Sequence, residues 1–180
     1  MDLKKYQTTH LEDFVDNLYS RINIFRPEQL TIKDIAAALN IKIAYSSISF
    51  SSMRNGVLTV HINDQASEEE QWKQFLHELC HVKRHAGNQL KLHPLMRKWQ
   101  EWDAENFVLY ASIPFLMLRR ISLPQDQHAA IELITNTFRV SAEMAYTRYH
   151  QIARRVYYSI WGGYTNGVLS KTGRYVGVPN

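Results

Sequence analysis

The sequence predicts an α+β fold, in which a small antiparallel sheet precedes a set of helices. Residues 41–45 and 57–62 alternate or are rich in β-branched side chains, as strands are, and the turn signal Asn55-Gly56 lies between them. From residue 67 onward, apolar residues recur at helical spacing instead. The length of 180 residues suits one domain with a small appendage. We expect a core domain over residues 1–120 and a helical extension over 121–180.

The predicted helices share apolar residues three or four positions apart and recognisable ends. They cover residues 11–24, 31–40, 67–87, 95–112, 129–138 and 142–158. Ser67 and Glu70 form a capping-box pattern at the start of the third helix, and Gly87 is its expected end. Beyond residue 160 the chain is Gly-rich and aromatic, which predicts a loosely ordered tail or irregular strands.

Composition indicates a soluble cytoplasmic protein. The net charge of +4 comes from scattered Lys and Arg, which favours a solvated surface over a dedicated nucleic-acid face. The amino terminus lacks the apolar core of a secretory signal. The longest apolar stretch, 107–118, is too short to span a bilayer and contains Pro114, so no membrane association is expected. A single cysteine fits a reducing compartment.

The most informative motif is His77-Glu78-Leu79-Cys80-His81. Residues four apart share one helix face, so His77 and His81 can present two imidazoles to one point. A catalytic zinc site needs three protein ligands and an open position for water. Glu78 lies between the ligands and can reach that water without binding the metal. This arrangement predicts a Zn2+-dependent peptidase with Glu78 as its general base.

A third ligand is expected from the next helix, where Glu101 is the preferred residue and Asp103 a weaker alternative. His85 continues the i, i+4 series, but it lies about 12 Å along the helix from His77, too far for one ion. We therefore interpret His85 as a pocket residue or an outer hydrogen-bond partner, with a solvated helix-end histidine equally acceptable. Glu105, one turn beyond Glu101, is expected to accept the second ring N–H of a ligating histidine.

Two further expectations concern the surroundings of the motif. Cys80 could be a ligand, a redox sensor or a packing residue, and packing is favoured because the motif is complete without it. The strand containing Val57, Thr59 and His61 precedes the metal helix. We expect it to be an edge strand that pairs with an extended substrate backbone.

The sequence resembles the ImmA/IrrE family of HExxH metallopeptidases over residues 31–114, and more loosely to 149. Two blocks carry the resemblance, residues 75–85 around the motif and 101–107 around Glu101. It implies zinc binding by His77, His81 and Glu101, with Glu78 as catalyst. Two positions depart from the family pattern: Cys80 stands where Gly is common, and Glu105 stands where Asp, Asn or Ser is usual. Family members act on helix-turn-helix repressors of phages and mobile elements, or on similar stress-response regulators.

The motif predicts a zincin-like endopeptidase, and the family resemblance implies that it makes a limited cut in a helix-turn-helix repressor. Residues 129–149 resemble the helix-turn-helix-like segment that often follows the peptidase core in this family. Such a segment could bind DNA, dock the target or close the core, and the last two are favoured because its Arg residues form no dense stripe. One rival is a DNA-binding regulator that retains the zinc fold. The other is a metal-stabilised interaction module without turnover.

Overall fold

The computed structural model describes the backbone of residues 2–85 and 93–171, and side chains as far as Ser159. Two short 3₁₀ helices, Leu3–Lys5 and Pro27–Gln29, accompany the regular elements. The α-helices are α1 (His10–Arg21), α2 (Ile32–Ala38), α3 (Glu68–Arg84), α4 (Pro94–Ser112), α5 (Phe115–Leu118), α6 (Gln127–Phe138) and α7 (Ala142–Lys171). The strands are β1 (Lys42–Ser46), β2 (Phe50–Arg54) and β3 (Val57–Asn63). The α+β class is thus confirmed.

Local capping explains where the first helices start. Thr9, Thr31 and Ser67 each accept a hydrogen bond from the backbone N–H three residues on, at the starts of α1, α2 and α3. The expected end of α3 at Gly87 lies outside the described residues, and α3 ends at Arg84. The expectation of an irregular tail is wrong over residues 161–171, where α7 continues as a helix. The last nine positions, 172–180, lie outside the described residues.

The sheet is mixed rather than antiparallel, which corrects the sequence-based prediction. Its strand order is β1-β3-β2, with β3 parallel to β1 and antiparallel to β2. The sequence pattern did not reveal β2, because its Phe-Ser-Ser-Met-Arg sequence lacks an apolar alternation. An extra strand reverses the chain once more, so β3 runs in the direction of β1. Asn55 and Gly56, both with positive φ, form the expected tight turn between β2 and β3.

Helix α3 lies between the sheet and α4, and this sandwich forms the centre of the core. The buried face of α3 carries Phe75, Leu76, Leu79 and Cys80, each with no exposed surface. Contacts join α3 to β3 on one side and to α4 on the other. Two polar bonds tie α4 to its neighbours: the Trp72 indole donates to Ser112 Oγ (3.0 Å), and the Tyr19 hydroxyl donates to the Ala111 carbonyl (2.9 Å).

A buried ion pair connects α7 with α1. Arg148 is 0% exposed and its Nη2 lies 2.7 Å from Glu12 Oε1, while Arg155 Nη1 lies 2.8 Å from Glu12 Oε2. Burial alone would raise the pKa of Glu12, but the Arg148 charge and hydrogen bonds from Tyr6 and Thr9 lower it overall. Apolar residues of α6 and α7 also belong to the main core cluster. The proposed boundary near residue 120 therefore stays a prediction, with one core shared across it.

None of the described helices is long and apolar enough to cross a membrane.

Removal of the Glu12 side chain should destabilise the fold strongly. Glu12→Ala leaves the fully buried Arg148 guanidinium without its counter-charge, which typically costs about 3–5 kcal/mol. The free energy of unfolding, measured by urea denaturation, checks this. Glu132→Ala, an exposed position on α6, serves as the control and should change stability by no more than about 0.5 kcal/mol. Equal small effects for both variants would contradict the assigned role of the ion pair.

Candidate metal centre

His77 and His81 converge from successive turns of α3. Their Nε2 atoms lie 2.9 Å apart. The His77 side chain is 31% exposed and that of His81 is 10% exposed, so the pair stands at the edge of the core with one side open to solvent. Burial, aided by the nearby His77, lowers the pKa of His81 to about 4. At neutral pH its ring is therefore uncharged, the form that can donate a lone pair to a metal.

Glu101 of α4 completes a three-residue cluster. Its Oε2 lies 3.2 Å from His77 Nε2 and its Oε1 lies 3.6 Å from His81 Nε2. Ligand atoms around a tetrahedral zinc, with bonds of about 2.0–2.1 Å, lie about 3.3 Å from one another. The three separations found here bracket that value. His77, His81 and Glu101 are therefore spaced as a metal ion requires, and the residues fit the group that the sequence predicts.

Glu78 lies beside this cluster and faces β2, the strand that the sequence pattern did not reveal. Burial raises the pKa of the Glu78 carboxyl. Donation from the hydroxyl and backbone N–H of Ser51 lowers this pKa, but the net shift is upward. Ser51 lies in β2. Nothing in the local pattern marks Ser51 as functional, because its position depends on how β2 is placed against α3.

His85 and Asp103 form a hydrogen-bonded extension of the cluster. His81 Nδ1 lies 2.8 Å from His85 Nδ1, and His85 Nε2 lies 3.0 Å from Asp103 Oδ2. Arg84 donates to the same carboxylate, from Nε at 2.8 Å and from Nη2 at 3.2 Å. Burial tends to raise the pKa of Asp103, but the bonds from Arg84 and His85 lower it overall. His85 is thus placed as an outer partner of His81, as one of its expected roles required.

Glu105 is not placed as the sequence analysis expected. Its side chain is exposed and borders a groove beside His77. Within the described parts of the chain, the Glu105 carboxylate has no hydrogen-bond or ion-pair partner. Asp103, which had been considered only as a weaker ligand, occupies the inner position instead. The sequence did indicate that Asp103 faces inward, because it lies at helical spacing from the apolar residues Phe107 and Ala111, which are both fully buried.

Cys80 is buried, as the packing interpretation required. Its Sγ lies 3.8 Å from Asp103 Oδ2, and burial together with that carboxylate raises the pKa of the thiol to about 12. Cys80, His85 and Asp103 lie close enough together to be a second metal cluster by distance alone. The Arg84 guanidinium, bound to both oxygens of Asp103, opposes a cation there. We therefore assign these three residues to the packing and hydrogen bonding behind His81.

The expectation that β3 is an edge strand that pairs with substrate is wrong, because β3 is the central strand of the sheet. Thr59 and His61 have strand neighbours on both sides, which leaves no free ladder for a substrate. Val57 pairs with Arg54 inside the hairpin. The His61 ring stacks on Phe50, with centroids 4.0 Å apart. These residues shape the sheet instead of binding a peptide backbone. The error follows directly from the undetected β2, which occupies the edge that β3 would otherwise expose.

Comparison with known proteins identifies the family of this chain. The model of the IrrE N-terminal-like domain family, peptidase family M78, matches residues 33–150. The Bacillus subtilis (strain 168) proteins named "Uncharacterized protein YqaB" and "Phage-like element PBSX protein XkdA" are both 36% identical to the chain. The first alignment covers 80% of this chain and 84% of YqaB, and the second covers 82% of this chain and 75% of XkdA. No solved structure matches significantly.

The family match spans more than half of the sequence and includes every residue of the metal cluster. The chain therefore belongs to the IrrE N-terminal-like domain family, a family of metallopeptidases.

Proposed function

We propose that this protein is a zinc-dependent endopeptidase of the cytoplasm. In this proposal it cuts a helix-turn-helix repressor of a phage or mobile element at one or very few bonds. The observation that carries the proposal is the convergence of His77, His81 and Glu101, with the Glu78 carboxylate beside them. Family membership supports the peptidase class.

His77, His81 and Glu101 would hold the zinc. When bound, such an ion lowers the pKa of a coordinated water to about 7 and polarises the substrate carbonyl. The side chains of His77 and Glu101 are 31% and 42% exposed, so the cluster opens towards solvent on the side where water and substrate must enter. Three protein ligands leave one tetrahedral position for the reaction, which argues against a closed structural metal site.

Glu78 would move the proton. Its carboxylate accepts a proton from the attacking water and then delivers it to the leaving nitrogen. Ser51 of β2 faces this carboxylate and favours its charged form. Burial raises the pKa of Glu78 and so makes it a better proton acceptor near neutral pH than an exposed carboxylate.

Substrate presentation is reassigned from β3 to β2. Strand β2 pairs with β3 on one side, lies at the edge of the described sheet and carries Ser51 next to Glu78. An extended peptide that added to this edge would pass the metal cluster. A groove beside His77 continues away from the cluster, and it is lined by residues of α3 and α4 and by Ser49 just before β2.

The choice of a repressor as substrate rests on the family resemblance and on one relative, XkdA, whose name assigns it to a phage-like element. A cytoplasmic peptidase with an open site needs selectivity from docking. Helices α6 and α7 offer a candidate surface, on which Tyr146, Tyr157 and Tyr158 are more than half exposed. Aromatic side chains of this kind are enriched in protein interfaces.

The DNA-binding rival is disfavoured by where the arginines of this segment point. Arg148 and Arg155 turn inward to Glu12, and Arg139 donates to the carbonyls of Pro27, Glu28 and Leu30. Over the described side chains of residues 127–159, Arg139 and Arg154 are exposed. The Arg139 guanidinium is held by those three carbonyls, which leaves that of Arg154 for another partner. One guanidinium is a small part of the charge that a DNA-binding face normally carries.

Metal content tests the site. We expect about one zinc per chain, and Glu101→Ala should weaken binding by more than the 10–100-fold typical for loss of an outer partner. The measurement is zinc affinity by competition with a chromophoric chelator. Glu132→Ala, on the exposed face of α6, is the matched control. Wild-type affinity in Glu101→Ala would remove that residue from the ligand set.

Glu78→Gln separates metal binding from chemistry. The amide keeps the shape of the carboxylate but cannot accept the proton, so zinc content and thermal stability should stay near wild type. The cleavage rate should fall about 10²–10⁴-fold. Single-turnover cleavage of a peptide substrate measures this, with Glu28→Gln, at an exposed position outside the cluster and outside α6 and α7, as the control for charge. Near-normal turnover in Glu78→Gln would refute the assigned base.

The substrate is tested by co-expression with candidate helix-turn-helix repressors, starting with any encoded beside this gene, under inducing conditions. Intact-mass analysis should show one or very few cuts in the repressor, and purified enzyme should leave casein largely undegraded. Both Glu78→Gln and Glu101→Ala should leave the repressor whole. An intact repressor alongside zinc-loaded wild-type protein would rule out the substrate assignment and favour a non-catalytic regulator.

A further inference from the structure

The hydrogen-bond chain behind His81 has a direction that the chemistry of its members determines. At one end, the Asp103 carboxylate accepts bonds from Arg84 and can only accept while ionised. His85 Nε2, 3.0 Å from Asp103 Oδ2, must therefore carry the proton and donate. In a neutral imidazole the other ring nitrogen then has a free lone pair. His85 Nδ1 is thus an acceptor.

The next step of the chain sets the protonation pattern of His81. Its Nδ1 lies 2.8 Å from His85 Nδ1, so the bond requires a proton on His81 Nδ1. A neutral His81 ring that is protonated at Nδ1 has its lone pair on Nε2. That is the nitrogen 2.9 Å from His77 Nε2 and 3.6 Å from Glu101 Oε1, where the three ligand atoms converge.

We propose that Asp103 and His85 are positioning residues that hold His81 in its Nδ1–H tautomer and so present Nε2 to the metal. This inference rests on the proposed zinc site. Asp103 acts through His85, whereas carboxylates that orient metal-bound histidines usually contact the ligand directly. Arg84 completes the arrangement by fixing the plane of the Asp103 carboxylate with two donated bonds.

Burial makes the chain hard to replace with water. The side chains of His85 and Asp103 are 3% and 5% exposed, and that of His81 is 10% exposed. A polar group that loses its partner in such surroundings has little access to solvent as a substitute. The orientation of His81 therefore depends on side chains of both α3 and α4, and not on the HExxH helix alone.

Asp103→Leu is the first test. Leucine is close to aspartate in size but cannot accept from His85 Nε2, so nothing holds the His85 proton on Nε2 and His85 Nδ1 is no longer kept as an acceptor for His81. We expect zinc affinity to fall about 10–100-fold, measured by chelator competition. The visible absorption of the cobalt-substituted protein should also change, because the ligand geometry at His81 is altered. Glu132→Gln, an equal loss of charge on exposed α6, should change neither readout.

Two substitutions at His85 separate hydrogen bonding from packing. His85→Gln keeps an oxygen that accepts from His81 and an amide that donates to Asp103, so zinc affinity should stay within a few-fold of wild type. His85→Leu fills the space without either bond, and its affinity should fall about 10–100-fold. Thermal unfolding of each metal-free variant identifies any loss that comes from misfolding. Equal affinities for the Gln and Leu variants would overturn the positioning role.

A direct readout is the nitrogen-15 NMR spectrum of histidine-labelled protein, which reports which ring nitrogen carries the proton. The chain requires His81 to be protonated at Nδ1 in both the zinc-loaded and the metal-free wild-type protein, and His85→Leu should lose this preference in the metal-free form. An Nε2–H tautomer of His81 in the metal-free wild type would overturn the proposal. If the wild type bound no zinc, the proposed function would fail separately, and the metal-free spectrum would still decide the hydrogen-bond chain.

Discussion

The contact between α3 and α4 is the constraint on which the metal centre depends. Two of the proposed ligands lie on α3 and the third lies on α4, so a small slip between the helices would move Glu101 out of range of the histidines. Polar bonds pin the contact at both ends, Trp72 to Ser112 at one and Arg84 to Asp103 at the other. Fully buried apolar residues of both helices fill the space between. A displacement of about 1 Å in such a site lowers activity severely. The two polar bonds limit sliding of α3 against α4.

The parts of this centre that were predictable are those set by local periodicity. The four-residue spacing of His77 and His81 places both on one face of any helix, whatever the rest of the fold. The helix containing Glu101 was also recognisable from its apolar pattern and its end near Pro114. These features depend on residues close together in the sequence, and the structure reproduces them.

The parts that were not predictable depend on distant residues. Strand β2 is held by its pairing with β3 and not by its own composition, so its polar sequence concealed both the strand and Ser51. Whether Asp103 or Glu105 serves as the carboxylate partner of the histidines depends on which side of α4 faces His85. The inward direction of Arg148 and Arg155 depends on Glu12, near the other end of the chain. From the sequence alone these arginines are expected to be surface charges, because nothing nearby in the sequence pairs with them.

The Glu12–Arg148 pair also has a consequence for the order in which the protein is made. Chains emerge from the ribosome amino terminus first, so Glu12 is synthesised long before its partner. Contacts between residues this far apart in sequence form slowly, because a long loop must close first. Arg155 of the same helix donates to the hydroxyl of Tyr110 on α4, the helix that also carries Glu101. A nascent chain that has exposed α3 but not α7 therefore lacks the contacts that α7 makes with α1 and α4 in the final fold. The three-residue cluster is therefore expected to gain this support only after α7 has been synthesised.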